Sequence, residues 1–210
     1  LRRLGQEQAA LALARESLAI DPIDCAARYE LGGETRELLF ASICENPNWC
    51  IELALTYADA GLYAEAEEVL TAASDAGQHY PLVHYYLADF CERQGKQDAA
   101  ARQRTAAASA PSDYCFPHRL EDLLVLNRAL EKNPDDAKGW YYLGNLWYDK
   151  RQYAQAIDCW ERSRALDGRF PTAHRNLALA YFNKCGRPDD ALDEMEQAFA
   201  LDRTDARVLM

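Results

Sequence analysis

The chain has 210 residues, 49% of them hydrophobic, with seven cysteines and a formal net charge of −11 at pH 7. An acid excess of this size argues against a nucleic-acid surface or an anionic membrane surface, because phosphate contacts need clustered Lys and Arg, and apolar runs such as 9–14 and 177–182 are far too short to cross a bilayer. An odd cysteine count without a C-x2-C pair suits a reducing, cytoplasmic compartment, and with no phosphate-binding loop, Gly-x-Ser-x-Gly or His-Glu-x2-His run the chain is expected to be no enzyme and to need no cofactor.

In chain order, Gly5, Ala10, Ala14 and Asp21-Pro22 fit the second half of a helix pair over 1–24. Residues 25–46, with Gly32-Gly33 inside, predict two short helices in an irregular unit. From Pro47 the pattern is Leu53, Ala54, Tyr57, Gly61, Tyr63, Ala66, Leu70, Ala73, which predicts helices over 47–60 and 63–76. From Pro81 it returns as Leu87, Ala88, Cys91, Gly95, Ala100, Ala107, with helices over 81–94 and 97–110. The small residues that let two helices approach keep step, since Ala54 and Ala88 stand 34 apart, as do Ala66 and Ala100. Residues 115–136 break that period, and the three- and four-residue steps of Leu123, Leu126 and Leu130 predict one inserted helix ending at Asn133-Pro134.

The register is fullest over 137–170, where Trp140, Leu143, Gly144, Trp147, Ala156 and Trp160 predict helices over 137–150 and 153–166. Trp140, Leu143 and Trp147 recur on one helical face, Gly144 and Ala156 remove bulk where the two helices meet, and Trp160 fills the space beside them. A further copy over 171–205 reads Leu177, Ala178, Tyr181, Ala191, Met195, Ala198 across helices at 171–184 and 188–201, with one extra residue in the turn Lys184-Cys185-Gly186-Arg187-Pro188. Residues 206–210 open another repeat. The spacing W-x2-L-G-x2-aromatic with A-x3-aromatic and the 34-residue step resemble the tetratricopeptide repeat. That resemblance implies an all-α, right-handed α-solenoid of helix-turn-helix repeats running as a single array over 1–210, cut from a longer solenoid.

In such an array the first helix of each pair lines the concave face, so a ligand groove draws on its non-core positions. These include Lys138, Tyr141, Asn145 and Tyr148 in one repeat and Arg175 and Asn176 in the next, with Tyr85, Tyr86, Asp89 and Glu92 from the repeat at 81–114. An asparagine carries donor and acceptor together and can grip a peptide backbone regardless of side chains. Tyr141 and Tyr148, outside the core stripe, would offer aromatic contact area. Asn145 and Asn176 also resemble the two asparagines of the carboxylate-clamp subgroup of these repeats, with Arg207 at one of its basic positions. Tyr141 stands where that subgroup has another basic residue. Residues 137–170 hold six Lys and Arg against four acids, the only net basic repeat. Cys115 and His118 could supply two metal ligands, but no second pair stands at matching spacing, so no metal is expected.

The stretches Tyr114-Cys115-Phe116-Pro117-His118-Arg119, 141–145 and 174–180 resemble large bacterial proteins that carry these repeats behind an N-terminal β-sandwich domain of unknown function. The expected function is a non-enzymatic scaffold for a protein or peptide partner. The alternative is a helical accessory region of a carbohydrate-active or carbohydrate-binding protein, with glycan as the ligand.

Overall fold

The computed structural model describes residues 1–77 and 79–204, the side chain of Arg3 excepted. Arg207 and the expected start of a further repeat lie outside the described residues, among which there is no strand. The chain, expected from its sequence to be one array, divides into two compact units, 1–103 and 104–210.

The first unit begins with a 3-10 turn at Arg2–Leu4 and α1 (Glu7–Ile20). Two short helices follow, α2 (Cys25–Leu31) and α3 (Gly33–Ile43), where the paired glycines predicted them. Gly32 makes the break: it sits at φ +69°, a left-handed conformation that side chains resist. The pair α4 (Pro47–Asp59) and α5 (Tyr63–Asp75) packs next, and α5 packs on α6 (Pro81–Arg93). Proline opens both α4 and α6 at a position whose N–H would have no helical partner anyway. α7 (Gln97–Ser109) carries the boundary between the units.

Ala54, Ala66 and Ala73 are fully buried with Val69 and Leu70, as small residues at a helix crossing should be. α6 departs from the sequence expectation, because every residue from Pro81 to Cys91 is buried. A helix covered on all faces is an interior helix. Tyr85, Tyr86 and Asp89, expected in a groove, are core instead: the Tyr86 ring packs 5.9 Å from Phe90, and the Asp89 carboxylate pairs with Arg93 at 2.8 Å. His84 is buried with them, its Nδ1 2.8 Å from Gln103 Oε1.

Charged groups knit the amino-terminal elements together. Arg2 bridges Glu30 at 2.5 Å and Glu65 at 2.6 Å, and the Tyr57 hydroxyl donates to Glu30 at 3.0 Å. Burial and the adjacent carboxylates push the Tyr29 and Tyr57 phenols far up, so both remain neutral donors.

The second unit contains the inserted helix α8 (Leu120–Lys132), then α9 (Ala137–Asp149), α10 (Tyr153–Leu166), α11 (Pro171–Ala180) and α12 (Pro188–Leu201). Each packs on its sequence neighbour. α8 faces inward through Val125, Leu126, Ala129 and Leu130. Its approach to α9 is tight, because a Cβ on Gly139 would come within 2.9 Å of Leu130 Cδ2. The extra residue near Cys185 is taken up by a π-helical turn, Tyr181–Cys185, with Gly186 left-handed at φ +62°. A one-residue insertion at a helix end that widens the last turn leaves the following helix in register.

Asp24 caps α2, accepting from Ser17 Oγ at 2.5 Å and from the Ala27 N–H at 3.0 Å. The Ser17 hydroxyl and then the Ala27 N–H hold its carboxyl below the ordinary value of 3.8. A depressed carboxylate stabilises the fold above its unfolded pKa, and that contribution is lost as pH falls through the folded value. In acid titrations of the denaturant midpoint, Asp24→Asn should therefore lose less stability between pH 5 and 3 than the parent, starting from a lower midpoint. Parallel curves would show that the cap carries no linked proton.

Candidate functional site

The site is built from one close contact. Gly144 on α9 has no side chain, and a Cβ there would lie 2.5 Å from both Cδ1 and Nε1 of Trp160 and 3.1 Å from the Ala156 carbonyl. The indole of α10 therefore lies directly against the α9 backbone, 3% exposed. In that position Trp160 Nε1 reaches the Tyr141 carbonyl at 3.2 Å and Asn145 Oδ1 at 3.1 Å.

That contact orients everything beside it. An indole N–H can only donate, so the amide oxygen of Asn145 must face it. Asn176 Nδ2 donates to the same oxygen at 3.0 Å, which turns Asn176 Oδ1 toward Arg175, whose Nη2 donates to it at 3.1 Å. Guanidinium groups also only donate, so the chain Arg175 to Asn176 to Asn145 has a single polarity. Both asparagine oxygens are occupied, and the Asn145 amide nitrogen is what the network presents outward.

A cavity of about 500 Å3 lies over this network, lined by Tyr141, Asn145, Tyr148 and Asp149 of α9, Trp160 of α10, Arg175, Asn176 and Leu179 of α11, and Phe116, Pro117 and His118 from the segment before α8. Five of the six residues singled out from the sequence thus meet around one space. Lys138 does not line it: its ammonium donates to the Ala110 carbonyl at 2.6 Å and ties down the chain that leads to α8. Tyr141, expected to be exposed, is 4% exposed. Its ring packs 4.7 Å from Phe170 and 5.4 Å from Tyr142, so it is a core residue that also forms cavity wall. Tyr148 is half-buried, 5.4 Å from the Trp160 ring and 5.1 Å from Tyr153. Trp140 and Trp147, read as core, are half-buried. Trp140 donates from Nε1 to the Pro134 carbonyl at 2.8 Å, with the Arg162 guanidinium 4.6 Å above its ring.

Phe116, Pro117 and His118 were not expected in the site, because their segment lies outside the repeat register. The signal available was the turn before α8, where the Asp122 carboxylate accepts from the His118 and Arg119 N–H groups at 2.9 and 3.0 Å. Cys115 is a buried thiol in no disulfide. Among the described residues no group of His, Cys, Asp and Glu could hold a metal ion.

Tetratricopeptide repeat models match residues 51–114 and 137–170. A cytochrome c-type biogenesis protein, CycH of Pseudomonas aeruginosa, is 35% identical over 72 residues, which are 34% of this chain and 18% of that protein. The chain therefore spans under a fifth of the curated relative it matches. Among solved structures, MamA is 20% identical, with 98% of this chain and 94% of that one covered at a TM-score of 0.41. YrrB, described as a TPR protein with an unusual peptide-binding site, is 18% identical over 100% of this chain and 84% of its own, also at 0.41. A thermophilic TPR protein of Thermus thermophilus, TTC0263, is 21% identical, with coverages of 97% and 95% and a TM-score of 0.41.

Removing the indole should destabilise the second unit. Trp160→Ala is expected to cost about 3–5 kcal/mol, the range for losing a large buried aromatic. Gly144→Ala, which drives a methyl into the same ring, should cost about 1–3 kcal/mol. Urea midpoints of the two variants against the parent measure both, and a midpoint for either that equals the parent's would remove the contact from the fold's supports.

Proposed function

From a chain that belongs to the tetratricopeptide repeat family, we infer a non-enzymatic scaffold that grips an extended segment of a partner protein in the cavity between α9 and α11. The observation that carries this reading is the one-way hydrogen-bond chain from Arg175 through Asn176 to Asn145. It leaves an amide donor facing a space walled by aromatic rings, and a main-chain carbonyl is the acceptor that every peptide repeats along its length.

Catalysis would need a nucleophile or a proton-transfer group aimed at a reacting atom. His118 and Asp149 also line the cavity, but the groups that the Trp160 contact orders there are two amides, a guanidinium and rings, which are binding groups. Arg175 adds positive charge at this wall, just beyond the net basic repeat 137–170, so segments with acidic flanks should be preferred at low salt.

Peptides selected from a random display library on the immobilised chain provide the test. Asn145→Ala and Asn176→Ala should each weaken a selected peptide by about 1–3 kcal/mol, the worth of a hydrogen bond whose partner is left buried. Helicity should hold, because Trp160 Nε1 keeps its bond to the Tyr141 carbonyl when the Asn145 side chain is removed. Equal affinities for parent and both variants by calorimetry would place peptide binding elsewhere on the molecule.

A further inference from the structure

The segment 115–118 belongs to no repeat, yet it forms one wall of the cavity. We propose that this wall sets specificity: it narrows the groove to a pocket for one aromatic side chain of the partner segment, whose adjoining carbonyl accepts from Asn145. The proposal rests on the peptide-binding reading above and adds to it the residue type that is read.

The wall is pinned on both flanks. Lys138 Nζ holds the Ala110 carbonyl at 2.6 Å and Lys150 Nζ holds the His118 carbonyl, also at 2.6 Å. Asp122, fully buried, fixes the turn from below through the His118 and Arg119 N–H groups. Cys115 and Pro117 point inward and are buried, while Phe116 between them is 60% exposed. A phenylalanine whose neighbours are anchored cannot turn into the core, so its ring stays at the cavity with apolar surface toward water. With the backbone on either side held, a ligand that packs on this ring orders only its side-chain torsions, which is what lets the wall be selective.

Charge and shape then choose the occupant. Lys150 pairs with Asp149 at 2.9 Å while holding the loop, which offsets the one carboxylate at the cavity. Arg175 lines the same cavity, so a lysine or arginine side chain would meet like charge there. The rings of Phe116, Tyr141, Tyr148 and Trp160 all border the space, and aromatic rings associate edge-to-face or offset with a further ring more favourably than with an alkyl group of similar area. At about 500 Å3 the cavity takes a single large side chain and its peptide group, within the range of small-ligand sites.

N-acetyltryptophanamide, N-acetylleucinamide and N-acetyllysinamide, each one side chain with two peptide groups, are suitable probes for NMR titration of the 15N-labelled chain. The tryptophan probe should bind about two- to tenfold tighter than the leucine probe, with the lysine probe weakest, and should shift the Asn145 side-chain amide. Phe116→Ala should erase the preference for tryptophan, and Lys150→Met, which frees one flank of the wall, should reduce it. Since Phe116 is exposed, its variant keeps the fold, which the unchanged backbone spectrum verifies. Asn145→Ala should weaken tryptophan and leucine probes alike. Retained tryptophan preference in Phe116→Ala, with Asn145→Ala still weakening both probes, overturns the wall and leaves the groove reading standing. Indifference to both substitutions overturns the two together.

Discussion

The contact of the Trp160 indole with the bare backbone at Gly144 is the constraint on which the second unit turns. It lets a side chain of α10 lie against the backbone of α9, and it aims an obligate donor at Asn145. Because an indole N–H cannot accept, the orientation of one amide follows, then that of the next, and finally the side of Asn176 that Arg175 engages. Packing and recognition are thus one event. The glycine that permits the helix crossing also decides that the cavity floor donates rather than accepts.

Two departures from strict repetition shape the surroundings of that contact. The inserted helix α8 brings with it a turn whose Phe116 and His118 stand over the cavity, and two lysines of the net basic repeat are spent on holding the flanking carbonyls of that turn. The additional residue after α11 is absorbed in a π-helical turn, so α12 still packs on α11. The buried His174 and Glu194 show how well it packs: His174 Nδ1 lies 2.6 Å from Glu194 Oε2 and its Nε2 is 3.0 Å from the Gly168 carbonyl, while Arg164 engages the other carboxylate oxygen. An insertion outside the helix pairs changes the site, and one at a helix end is absorbed.

The first unit makes the contrast. Its α6 holds Tyr85, Tyr86 and Asp89 at the places in the repeat that correspond to a groove, yet all three are buried. Polar or aromatic character at a first-helix position therefore does not mark a ligand surface on its own. Coverage decides, and coverage is a property of neighbouring elements. The buried thiols tell the same story, with burial pushing the Cys159 thiol up to about 12 and making it a packing group rather than a nucleophile.

The sequence alone determined the helices and their pairing, because these depend on local quantities: the three- and four-residue recurrence of apolar positions, small residues at crossings, and prolines at first turns. The limits of α4 through α10 follow the predicted ones closely, and the two short helices at 25–46 and the single one at 115–136 were legible from their glycines and leucines. Asn145 and Asn176 were legible as polar residues on a first-helix face. What only the tertiary structure decided is how side chains at that face are used. Lys138 is spent on a carbonyl 28 residues away, Tyr141 is covered by Phe170, and Phe116 enters the cavity from outside the register. Each outcome depends on atoms remote in sequence that come within a few ångströms only when the helices stack, and no periodicity along the chain records such a distance.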